Sequence, residues 1–285
     1  MTDPLKNYYR TKEVYLKLPS GGKWYKNPPK LTEDGEIGIY PMSVKDEIML
    51  KIPDTLYNGE ALYEVLQSIA PDIPDPYEVL VPDVEVILLA AKASQHGGEL
   101  TITGKCPKCN RTDRYGLEIK HILQQIKTIP DQPLTVELQN GLTVEFKPNT
   151  LASITAGTIK TTESIRLASA ITDGLDPQEA KSIFKESLEK TTAATIVVLA
   201  DSIGKITTPE GVEVTDHQSI TNWLANADTS TIGMIKKHST TLNENGVPHT
   251  FNFTCSNEEC EEVFPSQIEY NPAFFFTANY DQLLT

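Results

Sequence analysis

The segment Cys106-Pro107-Lys108-Cys109 places two thiols on a tight turn between two stretches of alternating polar and apolar residues. The segment Cys255-Ser256-Asn257-Glu258-Glu259-Cys260 repeats this arrangement further along the chain. Such alternation is typical of β-strands, so each cysteine pair is predicted to lie at the tip of a β-hairpin. A short loop with two thiolates is half of a tetrahedral zinc site. Two such loops form a closed four-cysteine site with no position left for a substrate.

Residues 110–254 lie between the two cysteine pairs, a separation far longer than that in an ordinary zinc ribbon. We therefore predict a split zinc ribbon into which another domain is inserted. Its ligands are Cys106, Cys109, Cys255 and Cys260, and they hold one structural Zn²⁺ per chain. Metal binding by distant parts of a chain contributes directly to the free energy of folding.

Other interpretations of the four cysteines are two disulfides, four free thiols, or two half-sites that never meet in space. Disulfides are disfavoured because the start of the chain shows no apolar segment of the kind that directs export, and disulfides form in oxidising compartments. A redox Cys-x-x-Cys pair usually opens a helix in a βαβ unit, and that pattern is missing here.

Composition limits the class of protein. The chain has 285 residues, of which 39% are hydrophobic and 22% charged, which is typical of one large or two modest globular domains. No stretch approaches the roughly 20 apolar residues needed to span a bilayer, so no membrane partner is expected. The net charge of −14 also disfavours duplex DNA, because binding to nucleic acid depends on cationic side chains.

The chain is predicted to be an α+β protein in three parts. Residues 1–98 form an N-terminal module of strands and helices, which leads into the split ribbon. Residues 99–120 and 246–285 form the ribbon and a C-terminal tail, and residues 121–245 form an inserted hairpin and helical bundle. Asn140-Gly141 between two alternating runs indicates the hairpin of the insertion.

Local signals predict several helices and one apolar patch. Ser43 and Asp216 are expected N-caps. An apolar stripe that includes Phe184 and Leu188 is predicted to face a core, and a groove for a partner is the other interpretation. The aromatic run Phe274-Phe275-Phe276 is either a docked terminal segment or an exposed interface that binds a partner.

No pattern of catalytic residues is found. The chain contains no Gly-x-Ser-x-Gly turn, and its histidines fit no metal-ligand spacing. These histidines are His96, His121, His217, His238 and His249. We therefore expect that the protein is not an enzyme.

The alternative function is that of a zinc-ribbon adaptor that binds nucleic acid. Four basic residues surround the first cysteine pair, and four glutamates surround the second. They are Lys105, Lys108, Arg111 and Arg114, and Glu258, Glu259, Glu261 and Glu262. Around one metal these charges nearly cancel, which leaves no basic stripe for a nucleic-acid backbone.

The N-terminal third resembles the T4-type phage baseplate hub assembly family. The resemblance begins with Leu18-Pro19-Ser20-Gly21-Gly22-Lys23-Trp24-Tyr25, continues with Pro41-Met42-Ser43-Val44-Lys45-Asp46-Glu47, and includes Leu56-Tyr57-Asn58-Gly59. An acidic residue, Asp83, before an Ile-Leu-Leu-Ala helix and the Cys-Pro-x-Cys pair follow in the order typical of the family. The resemblance covers roughly residues 12–110.

This resemblance implies a late viral protein that helps to build the baseplate hub of a contractile tail. The implied partners are other hub or tail proteins, and the implied location is the virion or, during assembly, the host cytoplasm. Whether the protein remains in the finished particle, and its oligomeric state, are left open by these residues.

Overall fold

A computed structural model describes residues 4–5, 8–50, 59–95, 98–170 and 177–268. The predicted interface residues Phe274, Phe275 and Phe276 lie outside the described residues. In chain order the elements up to residue 123 are β1 (Val14–Leu16), β2 (Ile37–Ile39), α1 (Val44–Met49), α2 (Glu60–Ile69), α3 (Val81–Ala93), β3 (Glu99–Lys105), β4 (Thr112–Glu118) and α4 (Ile119–Leu123). They continue with β5 (Leu134–Glu137), β6 (Thr143–Phe146), α5 (Leu151–Ala170), α6 (Pro177–Asp201), β7 (Ile203–Thr207), β8 (Glu213–Val214), α7 (His217–Asn226), α8 (Thr229–Asn243), β9 (Thr250–Thr254) and β10 (Val263–Gln267).

The chain forms two compact units, and the mixture of helices and strands confirms the α+β class. The first unit is made of residues 1–76, 82–129 and 245–285, and the second of residues 77–81 and 130–244. The three-part division drawn from the sequence stays a prediction. In the first unit, Lys127 and Gly246 exchange two backbone hydrogen bonds of 2.8 and 2.9 Å. The chain therefore returns to this unit close to the point where it leaves it.

The core of the first unit is built around helices α2 and α3. Apolar residues at helical spacing on α2, such as Leu66 and Ile69, are buried. Helix α3 is buried on more than one face, because Val86, Ile87 and Leu89 are all fully buried. An apolar helix that is covered all round belongs in the interior of its unit.

A buried carboxylate fixes the start of helix α1. The hydroxyl of Ser43 accepts the backbone N–H of Asp46 at 3.2 Å, and the Asp46 carboxylate accepts the N–H of Ser43 at 2.8 Å. These two bonds form the capping box that confirms Ser43 as the N-cap. The guanidinium of Arg10 donates to the same carboxylate at 3.0 Å. This ion pair offsets the free-energy cost of burying the charged Asp46 side chain.

A second buried carboxylate joins the loop after β1 to the first turn of helix α3. Asp83 is fully buried. Its Oδ1 atom accepts the backbone N–H of Ser20 at 3.0 Å, and its Oδ2 atom accepts the hydroxyls of Ser20 at 2.6 Å and Tyr25 at 2.7 Å. Burial raises the pKa of Asp83 from 3.8 to about 6, although all three hydrogen bonds act in the opposite direction.

The second unit contains an antiparallel sheet in the order β5-β6-β7-β8. The predicted hairpin is confirmed, with β5 and β6 joined through a turn in which Gly141 has a φ of 80°. Strands β7 and β8 add to it, although the sequence indicated only helices in this part of the chain. Strand β7 was not predicted because it has only five residues and a glycine at its second position.

For the helices of the second unit, one prediction is confirmed and one is corrected. Helix α7 begins after Asp216, whose side chain accepts the backbone N–H of Ser219, so this N-cap is confirmed. The stripe on α6 does not face a core along its whole length, because Phe184 is 65% exposed and Leu188 58%. Helical spacing predicts a shared face, but it does not say whether the fold covers that face.

Among the described residues, none of the helices is both long enough and apolar enough to cross a membrane.

Candidate metal centre

Two β-hairpins of the first unit carry the cysteine pairs. Strands β3 and β4 pair from Glu99–Glu118 to Lys105–Thr112, which leaves Cys106 and Cys109 in the connecting loop. Strands β9 and β10 pair from Gln267–Thr250 to Val263–Thr254, and their loop holds Cys255 and Cys260. The alternating strands therefore place both pairs as the sequence predicted.

The two loops meet, and their four sulfur atoms lie within 4.8 Å of one another. The Sγ atoms of Cys109 and Cys255 are 3.5 Å apart, and those of Cys106 and Cys260 are 3.9 Å apart. Four thiolates around zinc with bonds of about 2.3 Å have sulfur–sulfur separations of about 3.8 Å, whereas a disulfide bond measures about 2.0 Å. The donor set and its spacing fit a tetrahedral metal ion, and the interpretation in which the half-sites never meet is wrong.

The loops share a backbone shape that turns each pair toward the same point. The residue after the second cysteine of each loop has a positive φ, 60° at Asn110 and 44° at Glu261. The N–H of Cys106 donates to the carbonyl of Arg111 at 2.9 Å, and the N–H of Cys255 donates to the carbonyl of Glu262 at 2.8 Å. Each loop is thus closed by a bond at its base.

The positive φ of Glu261 leads to a prediction about stability. A left-handed backbone costs an ordinary L-residue about 1–2 kcal/mol, and glycine tolerates it. Glu261→Gly is therefore expected to raise the free energy of unfolding by about 0.5–1 kcal/mol in urea titrations. Glu261→Ala is the matched control, since it removes the charge and keeps the strain. Equal stabilities of the two variants would contradict the strain at this position.

Polar contacts join the two hairpins beside the cysteines. Lys108 forms an ion pair with Glu262 at 3.2 Å, and this hydrogen bond raises the pKa of Lys108. The hydroxyl of Ser256 donates to the carboxylate of Asp113, which lowers the pKa of Asp113. The ion pair between the basic first loop and the acidic second loop agrees with the charge cancellation expected from the sequence.

An aromatic cluster underlies the same junction. The ring centroid of Tyr115 on β4 lies 5.1 Å from that of Phe253 and 5.9 Å from that of Phe264. Phe253 and Phe264 are 7% and 3% exposed. Gly104 leaves room for Tyr115, because a Cβ atom there would lie 3.1 Å from the ring. Apolar packing therefore holds the hairpins together below the cysteines.

The four thiols differ in their exposure to solvent. Cys106 and Cys255 are buried, Cys260 is intermediate and Cys109 is the most accessible. The backbone N–H of Arg111 lowers the pKa of Cys109 from 9.0 to about 7. A lowered pKa favours the thiolate, which is the form that binds a metal.

The contacts between the hairpins were not predicted. The signal for them was weak: opposite charges flank the cysteine pairs, but sequence alone does not say which residues meet. No other group of three or more histidine, cysteine or acidic side chains in the described ranges is close enough to hold a metal ion.

Fold and site together define an α+β protein with a four-cysteine centre that can bind a metal ion. Residues 10–275 match the family described as T4 bacteriophage base plate protein. The chain belongs to this family and is therefore a phage baseplate structural protein. The match extends through the insertion, which the resemblance in sequence did not cover. No curated protein and no solved structure matches the chain.

Proposed function

We propose that this protein is a structural or assembly component of the baseplate hub of a contractile tail. It acts through contacts with other hub or tail proteins, and a structural zinc ion holds its two hairpins together. The observation that carries the proposal is the family match over residues 10–275, together with a metal centre that has no position for a substrate.

Zinc is the metal that the donor set favours. Four thiolates are soft ligands, and a tetrahedral sulfur site is typical of zinc or of iron–sulfur centres. The hairpin loops, with their left-handed residue after the second cysteine, supply two ligands each. When bound, zinc provides a cross-link, while Cys106 and Cys255 anchor the metal on the buried side.

The role we propose is not enzymatic. The described residues form a cavity of about 380 Å³ between helices α5 and α6, lined in part by Lys160, Glu163 and Lys190. Its Ser164 donates its hydroxyl to the carbonyl of Lys160. No histidine or cysteine lines this cavity. The hydroxyl proton of Ser164 is directed at a backbone carbonyl and not at a general base, so the serine is not arranged as an activated nucleophile.

Metal analysis tests the zinc assignment. Protein purified under reducing conditions without added metal is expected to contain about one zinc per chain, because the four thiolates form one closed site. Mass spectrometry of the intact protein under native conditions should show the same stoichiometry. Protein that is folded but contains no zinc, or contains iron and sulfide instead, would overturn this assignment.

Capture of partners tests the hub assignment. A tagged chain produced during phage infection is expected to purify with hub or tail proteins, and the same tag on an unrelated protein is the control. Salt-dependent binding to single- or double-stranded DNA, without tail proteins, would favour the nucleic-acid adaptor instead. Mass spectrometry of purified particles then determines whether the protein remains in the virion.

A further inference from the structure

The cysteine cluster offers a second way to join the two hairpins. Each short sulfur approach crosses between hairpins: Cys109 lies 3.5 Å from Cys255, and Cys106 lies 3.9 Å from Cys260. We propose that the cluster is an oxidation site, at which a peroxide converts the thiolates into the disulfides Cys109–Cys255 and Cys106–Cys260. The inference rests on the same cluster to which the proposed function assigns zinc.

Accessibility sets the order of the two steps. Cys109 is exposed, Cys260 is intermediate, and Cys106 and Cys255 are buried. A small oxidant therefore reaches Cys109 first, and the sulfur across from it belongs to Cys255. The second disulfide follows between Cys260, the next most accessible thiol, and the buried Cys106.

The formation of each disulfide consumes one molecule of peroxide as the oxidant. The first thiolate attacks a peroxide oxygen, the O–O bond breaks, and a sulfenic acid and hydroxide form. The partner thiolate then attacks that sulfur, the S–S bond forms, and the S–O bond breaks with loss of a second hydroxide. Two protons convert the hydroxides into water. Two electrons from the sulfur pair have reduced one peroxide, and two peroxides oxidise the whole cluster.

The consequence is that the junction between the hairpins persists without the metal. Host cytoplasm keeps thiols reduced and available for zinc, whereas the surroundings of a released particle are oxidising. Disulfides across the hairpins replace one cross-link by another between the same two loops. Disulfides inside each loop, Cys106–Cys109 and Cys255–Cys260, would leave the two hairpins without a covalent cross-link.

Peptide mapping of the full chain tests the pairing. Reduced protein is treated with hydrogen peroxide, remaining thiols are blocked with N-ethylmaleimide, and the chain is digested with trypsin and a glutamate-specific protease. Lys108 provides a cleavage site between Cys106 and Cys109, and Glu258 and Glu259 provide cleavage between Cys255 and Cys260. Each cysteine therefore falls in its own peptide, and every pairing gives a distinct mass.

The expected products are linked peptides of Cys109 with Cys255 and of Cys106 with Cys260, the first appearing earlier. The oxidised chain should also migrate faster on a non-reducing gel, because these disulfides close long loops. The matched control is the same protein oxidised in guanidinium chloride, where short loops close most readily and pairs within each loop should dominate. Pairs within each loop in the native protein would overturn the inference.

Zinc content measured before oxidation separates this inference from the proposed function. If zinc is present and the disulfides form inside each loop, the oxidation inference fails and the zinc assignment stands. If zinc is absent and the disulfides form across the hairpins, the zinc assignment fails and the inference stands.

Discussion

Cys106→Ser is expected to abolish stoichiometric zinc binding and to lower the free energy of unfolding by about 5 kcal/mol. Apparent zinc-binding free energies of about 10–16 kcal/mol in small zinc domains are also folding free energies, and this site supports one junction of a larger unit. The buried position of Cys106 strengthens the effect, because the substituted hydroxyl is left near three thiols and away from water. Denaturant titration with tryptophan fluorescence, together with metal analysis, measures both changes.

Two controls separate the metal from other effects at the junction. Wild-type protein freed of metal by a chelator should have the stability of Cys106→Ser, since both lack the cross-link. Lys108→Gln breaks the ion pair with Glu262 but retains all four ligands, so it should keep its zinc and show little change in stability. A metal-free wild type as stable as the untreated protein would contradict a structural role for zinc.

The metal centre could be predicted because its chemistry depends on local spacing. Two thiols on a tight turn between strands form half a site wherever the chain places them, and Cys106 and Cys255 belong to two such turns. The sequence does not indicate that the turns meet, since this depends on non-local contacts such as the packing of Tyr115 against Phe253. The meeting was expected only because a closed zinc site needs four ligands and each turn supplies two of them.

Burial was predicted less well than periodicity. Leu66 and Phe184 lie on helices with similar apolar spacing, yet Leu66 is 1% exposed and Phe184 65%. The spacing of apolar residues predicts which of them share one face of a helix. Whether that face is buried depends on which other parts of the fold pack against it. Strand β7 was missed for a related reason, because its partner β6 lies on the other side of two long helices in the sequence.

The hydrogen bonds around Asp83 give a structural reason for part of the family resemblance. The sequence places Ser20 and Tyr25 in a glycine-containing loop and Asp83 before an apolar helix, with no local pattern that joins them. The structure joins all three through hydrogen bonds to a single carboxylate. These positions belong to the segments on which the resemblance to the baseplate hub family rests, so the structure supplies a packing reason for part of it.

The stability of the protein is expected to depend on the ionisation of Asp83. Its pKa is raised from 3.8 to about 6 in the folded chain, mainly by burial. Its contribution to stability is fully present below about pH 4 and is lost as the pH rises through about 6. The difference corresponds to about 3 kcal/mol. Asp83→Asn cannot ionise, so its free energy of unfolding relative to wild type should increase by about 2.5 kcal/mol between pH 4 and pH 7.

Comparison of the two proteins at each pH isolates this group, because all other titrating side chains are shared. Urea titrations at several pH values between 4 and 7 give the difference directly. Tyr25→Phe provides a second arm: it removes a hydrogen bond that lowers the pKa of Asp83, so the loss of stability should shift to higher pH. A pH-independent difference between wild type and Asp83→Asn would mean that Asp83 titrates alike in the folded and unfolded chains. The carboxylate would then have to be solvated or paired by a cation, and the buried junction between its loop and helix α3 would be wrong.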